Sequence, residues 1–122
     1  LTGREPTQVV VTHYHSDHTA GLPAAREAGA ELWCTARTRD DIRTRNQNAA
    51  VQALGDARLV PEAGEARIDL GGRHVRLIAL EGHTASDVVA LVEDSEVVFA
   101  GDLLWYGMFP NFVDAQPSRL TP

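Results

Sequence analysis

The hydrophobic positions in the first third of the chain form short continuous runs separated by a helix-like segment. Residues 8–11 are a β-branched run without a helical period, which predicts a buried strand, and residues 31–34 predict a second strand. Between them, strong helix formers occupy residues 24–28, with Pro23 near the first turn and Gly29 at the end. The pattern therefore predicts a strand, a short helix and a strand.

A longer, more polar helix is predicted to follow. Thr35 is a typical N-cap residue, residues 36–54 carry a helical pattern, and Gly55 marks the end. The first half of the chain thus alternates strand and helix.

The second half changes to short strands separated by turn residues. The predicted strands are residues 58–60, 66–70, 73–80, 88–92 and 96–100. Gly71 and Gly72 lie between two alternating segments and predict a tight hairpin. Alternating strands and helices in the first half, followed by strands alone in the second, predict an α+β fold.

An apolar, irregular segment follows the last predicted strand. It contains much of the aromatic content, namely Trp105, Tyr106, Met108, Phe109 and Phe112. Two interpretations are equally supported: these side chains fill the core, or they line a substrate pocket.

Length and charge narrow the class of protein. The chain has 122 residues, of which 43% are hydrophobic, so it predicts one domain over 1–122 with its own core. A net charge of −6 argues against a nucleic-acid partner, which requires a basic surface.

The apolar runs of the chain are far shorter than the roughly 18 residues of a membrane span, so the cytoplasm is the default location. Because residue 1 is Leu, an internal piece of a longer chain is expected.

Cys34 is the only cysteine, which excludes an intrachain disulfide and a cysteine-rich zinc site. Its position in a predicted strand favours a small buried hydrophobe over a nucleophile. Any metal must therefore be held by histidine and carboxylate.

The strongest chemical signal comes from residues 13–18, which follow the first predicted strand. His13 and His15 are spaced to project from the same side of an extended segment, and Asp17 and His18 follow directly. Imidazole and carboxylate ligands suit zinc, iron or manganese. Three histidines and an aspartate in six residues indicate a metal site rather than a solvated loop.

Two further candidate ligands follow predicted strands. His83 comes after residues 73–80 and Asp102 after residues 96–100, each preceded by a glycine that lets the backbone bend in a crowded place. Thr84, Ser86 and Asp87 are expected to satisfy backbone groups in the His83 loop and to orient that ligand.

These motifs, in this order, resemble the metallo-β-lactamase superfamily over about residues 8 to 105. The resemblance implies an αββα sandwich, in which two β-sheets lie face to face between outer helices. It also implies the ligands of two metal ions: His13, His15 and His83 for the first ion, Asp17 and His18 for the second, and Asp102 bridging both.

The chain departs from the family pattern in two ways. Strands that normally precede the first motif are missing, and so is a late histidine that completes the second metal site. The unused His74 shares a strand face with Arg76 and Ile78, which favours an exposed strand residue. The chain is then a fragment, or a partner chain or homo-oligomer completes it, or one ion suffices.

The chemistry implied is that of a metal-dependent hydrolase, with zinc as the expected cofactor in one or two ions and iron or manganese as alternatives. A metal-bound hydroxide would attack an ester, thioester, lactone or amide of a small-molecule substrate, with Asp17 as the catalytic carboxylate. Two alternatives stay open: an iron-dependent oxygenase or reductase of the same fold, and a truncated metal-binding domain without catalysis.

Overall fold

The computed structural model describes residues 3–45, 47–116 and 118. The helices are α1 (Ser16–Thr19), α2 (Leu22–Glu27), α3 (Ala36–Thr44) and α4 (Asn48–Leu54). The strands are β1 (Gln8–Val10), β2 (Glu31–Thr35), β3 (Arg58–Val60), β4 (Glu65–Asp69), β5 (His74–Leu80), β6 (Asp87–Val92) and β7 (Val98–Phe99). A 3-10 helix at Gly101–Leu103 follows β7.

The strands form two sheets of different type. β1, β2 and β3 form a parallel sheet in that order, with Val9 opposite Leu32 and Cys34 opposite Leu59. β4 to β7 form an antiparallel meander in chain order. Helices connect the parallel strands, as such crossovers require, whereas short turns suffice for the antiparallel ones.

The central strand β2 separates two cores, because successive side chains point to opposite faces. Leu32 and Cys34 pack against the helices, together with Leu22, Ile42 and Leu54. On the other face, Trp33 of β2 and Val60 of β3 meet side chains of the second sheet. Those side chains are Ile68, Leu77, Val88 and Ala90. The order of layers is therefore helices, parallel sheet, antiparallel sheet, which confirms the predicted α+β class.

Most predicted elements are present, but the single helix over 36–54 is wrong. The chain forms α3 and α4 instead, and Gln47 lies between them. Its side-chain amide donates to the Tyr14 carbonyl at 2.8 Å and accepts from the Thr19 hydroxyl at 2.5 Å. These contacts to a distant part of the chain interrupt the helix. The predicted N-cap is confirmed, since the Thr35 hydroxyl accepts from the Thr38 amide at 2.9 Å.

Two smaller differences occur near the metal motifs. α1 was not predicted, because its four residues are polar and show no apolar period. The strand predicted over 96–100 covers only Val98–Phe99. The Val97 amide donates to the Ser95 hydroxyl at 3.3 Å, so the residues before Val98 belong to a turn.

Cys34 is fully buried, as predicted, and burial raises the pKa of its thiol to about 11. Within the described ranges, no helix combines the length and apolar character that crossing a bilayer requires. The cytoplasmic location and a homo-oligomer or completing partner chain stay predictions.

Candidate metal centre

The loop after β1 is held at the end of both sheets. The Val11 amide donates to the Trp33 carbonyl at 2.8 Å, and the Thr12 carbonyl accepts from the Val88 amide at 2.7 Å. The first bond continues the parallel sheet, while the second ties the loop to the antiparallel sheet. The side chain of His13 is fully buried at this junction.

Three histidine nitrogens converge beside this junction. His15 Nδ1 lies 3.0 Å from His13 Nε2 and 3.0 Å from His83 Nε2. Two nitrogens bound at roughly 2.0 Å to a tetrahedral ion would lie about 3.3 Å apart. The spacing therefore fits one shared ion.

The electrostatics of His13 also suit a ligand. Burial, followed by the neighbouring His18, His15 and His83, lowers the pKa of His13 to about 3. His13 is therefore neutral at physiological pH and keeps a nitrogen lone pair. A hydrogen atom can join only two of the three converging histidine nitrogens. A single cation, in contrast, can bind the lone pairs of all three.

A second group of possible ligands shares His13 with the first. It consists of His13, His18 and Asp102. Asp102 Oδ1 lies 3.3 Å from His18 Nε2, and Asp102 Oδ2 lies 3.7 Å from His83 Nε2. The two carboxylate oxygens thus face the two groups of nitrogens, which is the arrangement that a bridging ligand requires.

Gly101 explains how Asp102 reaches this position. Gly101 has φ +54°, and a Cβ atom there would lie 2.9 Å from the Thr12 side chain. Only glycine accommodates both the backbone conformation and this close approach without strain. The predicted need for a glycine before Asp102 is therefore confirmed.

Asp17 stands apart from both groups of ligand atoms in the part of the chain that the structure describes. It lies in the first turn of α1, its side chain is 76% exposed, and its Oδ2 is 3.6 Å from His18 Nε2. Its proposed roles as a ligand and as the catalytic carboxylate stay predictions.

His74 lies outside both groups. Its Nε2 is 3.7 Å from Asp69 Oδ2 across the β4–β5 pair, and its side chain is partly exposed. It is thus a strand residue, as predicted.

Hydrogen bonds fix the loop that carries His83. The buried Asp87 carboxylate accepts from the Thr84 amide at 2.9 Å and from the Thr84 hydroxyl at 3.0 Å. The Thr84 hydroxyl also accepts from the Ser86 amide at 3.2 Å. Burial raises the pKa of Asp87, and these bonds partly offset that effect. The predicted support of the loop backbone is confirmed for Thr84 and Asp87. It is wrong for Ser86, whose hydroxyl donates to Glu62 Oε2 at 2.7 Å and lies 2.7 Å from Thr35 Oγ1.

Sequence reasoning missed one contact of a candidate ligand. Asp114 Oδ2 lies 3.1 Å from His15 Nε2, the ring nitrogen that does not face the other histidines. Arg45 Nη2 donates to Asp114 Oδ1 at 3.1 Å. His15 and Asp114 are 99 positions apart in the chain, so no local pattern could have indicated this pair.

Most of the large apolar side chains after Asp102 lie outside the core. Tyr106, Met108, Phe109 and Phe112 are exposed, so core filling is wrong for these four side chains. Trp105 approaches the site, with its ring centroid 6.2 Å from that of His83.

Comparison with known sequences gives one family. The sequence model of the metallo-beta-lactamase superfamily matches residues 1–119. A hydroxyacylglutathione hydrolase from Acidiphilium cryptum (strain JF-5) is 38% identical over 98 residues, which cover 80% of this chain and 35% of that protein. Another, from Shewanella sp. (strain ANA-3), is 29% identical over 117 residues, or 92% of this chain and 40% of that protein. The chain spans between 34% and 42% of the length of eight curated relatives that it matches, these two included.

Solved structures agree with this family. A metallo-β-lactamase from Pontibacter korlensis aligns with a TM-score of 0.67 at 23% identity, over 88% of this chain and 48% of that one. A protein named TTHA1623, in a di-iron-bound form, aligns with a TM-score of 0.69 at 23% identity, over 94% and 60%. The likeness concerns the fold alone and confirms that the chain forms part of an αββα sandwich, of which the described residues supply one helix layer and both sheets.

Proposed function

We propose, because the chain belongs to the metallo-β-lactamase superfamily, that it carries the metal centre of a metal-dependent hydrolase. The observation that carries this proposal is the convergence of His13 Nε2, His15 Nδ1 and His83 Nε2, with neighbouring atoms 3.0 Å apart. Three such nitrogens bind a divalent ion and leave a position for water or substrate.

The proposed substrate is a small ester, thioester, lactone or amide. Relatives named hydroxyacylglutathione hydrolase favour the thioester among these four. A bound divalent ion supplies an activated water and polarises the carbonyl that is attacked. The chain's own residues hold the ion, and one of them accepts a proton and transfers it.

His13, His15 and His83 would hold the first ion, His18 and Asp17 the second, and Asp102 would be shared by both. Asp17 comes into this set from the family resemblance, because it stands apart from both groups of ligand atoms. Zinc suits this donor set, and iron and manganese accept the same ligands. Because two of the three residues in the first group are buried, against one in the second, we expect the first ion to bind more tightly.

Metal removal tests the proposal. Dialysis against a chelator is expected to lower thioester hydrolysis to the background rate, and zinc chloride is expected to restore it. The measurement combines elemental analysis of metal per chain with rates on an acylglutathione thioester, a lactone and an amide. Activity that persists without metal would contradict the proposal. Bound iron without hydrolysis would favour an oxygenase or reductase, and no metal uptake would favour a non-catalytic domain.

Asp17 is proposed to accept a proton on its carboxylate and to pass it to the leaving group. Positioned acid–base groups contribute about 10²- to 10⁴-fold to rates, so Asp17→Asn is expected to lower turnover about 100-fold. Thermal stability should change little, because the Asp17 side chain is 76% exposed. Turnover, bound metal and the melting temperature are measured together.

The matched control is Asp40→Asn, which changes an exposed carboxylate paired with Arg43 on α3. It should leave turnover unchanged. Full activity of metal-loaded Asp17→Asn would contradict the role of Asp17.

A further inference from the structure

The segment from Leu104 to Gln116 is anchored to the metal centre at both ends. At its start, the Trp105 indole donates to the Asp102 carbonyl at 2.6 Å. At its end, the backbone amide of Gln116 donates to the Gly82 carbonyl at 2.6 Å, next to His83. Asp114 makes the contact with His15 described above. We refer to residues 104–116 as the apolar segment.

Between these anchors, the apolar segment is stabilised by little burial of its side chains. Its large side chains are exposed, namely Leu104, Tyr106, Met108, Phe109, Phe112 and Val113. Phe109 and Phe112 contact each other edge to face, with ring centroids 5.7 Å apart. The conformation of this segment therefore depends on its polar anchors, since apolar burial contributes little there.

Asp114 is the anchor that reaches a candidate metal ligand directly. One carboxylate oxygen faces His15 Nε2 and the other accepts from Arg45, both at 3.1 Å. The Arg45 guanidinium lies 4.4 Å from the centre of the Tyr14 ring, and that ring contacts His15 edge to face at 4.6 Å. These four side chains form a closed set of contacts that fixes the Asp114 carboxylate against His15.

We propose that Asp114 is a positioning residue that couples metal binding at His15 to the order of the apolar segment. The inference rests on the proposed function, because it requires that the histidines bind a metal. When His15 Nδ1 is a ligand, the hydrogen that remains on the ring lies on Nε2, where it is donated to Asp114. Carboxylates in this position orient the ligand and strengthen metal binding.

Without an ion, a hydrogen on His15 Nδ1 can instead be donated to His13 or His83. His15 Nε2 then presents a lone pair to the Asp114 carboxylate, and the anchor is lost. Metal binding thus favours the tautomer that holds the apolar segment. By linkage, whatever holds the segment strengthens metal binding by the same factor.

Zinc titration with limited proteolysis tests this coupling. Tyr106 is fully exposed, which makes the bond after it a site for chymotrypsin. Zinc chloride is expected to slow cleavage of the wild-type protein there about tenfold. Asp114→Asn should lower zinc affinity by about 10- to 100-fold and abolish this protection even at saturating zinc. Asp114→Glu should restore part of both effects.

Two further variants complete the experiment. Asp94→Asn removes an exposed carboxylate that pairs with Arg73 beyond the far end of β6, and it should behave like wild type. Arg45→Met removes the second partner of Asp114 without touching His15, so it should weaken zinc binding by a smaller factor. It also provides a test if Asp114→Asn does not fold.

The outcomes separate this inference from the proposed function. If the wild-type protein binds no zinc, the proposed function fails. If wild type binds zinc but the folded Asp114 or Arg45 variants keep its affinity and protection, the coupling is wrong. Weaker zinc binding with unchanged protection at saturation also overturns the coupling.

Discussion

His13→Ala is expected to abolish stable metal binding and to lower hydrolysis by at least about 1,000-fold, or about 4 kcal/mol of transition-state stabilisation. His13 is a proposed ligand of the first and tighter ion, and it also belongs to the second group of possible ligands, so its loss is expected to weaken the second ion as well. It is also fully buried at the junction of the two sheets, where no solvent ligand replaces it easily. Metal per chain and turnover on a thioester are the measurements.

The matched control for His13→Ala is His74→Ala. His74 is a partly exposed strand histidine that faces Asp69 and lies outside both groups. Its removal should leave metal content and turnover unchanged. Melting temperatures of the metal-free proteins separate a loss of ligand from a loss of folding. Retention of one tightly bound ion by folded His13→Ala would contradict the shared-ligand arrangement.

Leu77→Ala is expected to lower the free energy of unfolding by about 3 kcal/mol. Leu77 is fully buried in the core between the sheets. Its strand neighbours, Ala66 on β4 and Ala90 on β6, are both small. They cannot extend into the space that Leu77 leaves, so a cavity is expected to remain. Urea denaturation measures the change.

Leu80→Ala provides the control on the same strand. Leu80 is 45% exposed at the end of β5, so its truncation should cost about 1 kcal/mol or less. A similar cost for both substitutions would show that Leu77 does not fill the inter-sheet core as described. A loss of about 3 kcal/mol is large for a domain whose total stability is commonly about 5–15 kcal/mol.

Local patterns accounted for most of the elements. The alternation in residues 73–80 correctly predicted a strand and placed His74 outside the core, because successive side chains of a strand point to opposite faces. The helix over 36–54 failed, because Gln47 bonds to Tyr14 and Thr19. Helix propensity contains no information about such distant partners, and these contacts outweighed it.

For the site, the sequence by itself determined which residues are chemically able to bind a metal. Local features of a sequence can be recognised without a structure. Here they are the spacing of His13, His15 and His18 and the glycines before His83 and Asp102. Only the tertiary structure decided that His83 Nε2 lies 3.0 Å from His15 Nδ1 and that Asp102 faces both groups. It also placed Asp114 on His15 and left Asp17 exposed. The reason is physical: distances between residues far apart in the chain are set by the packing of two sheets.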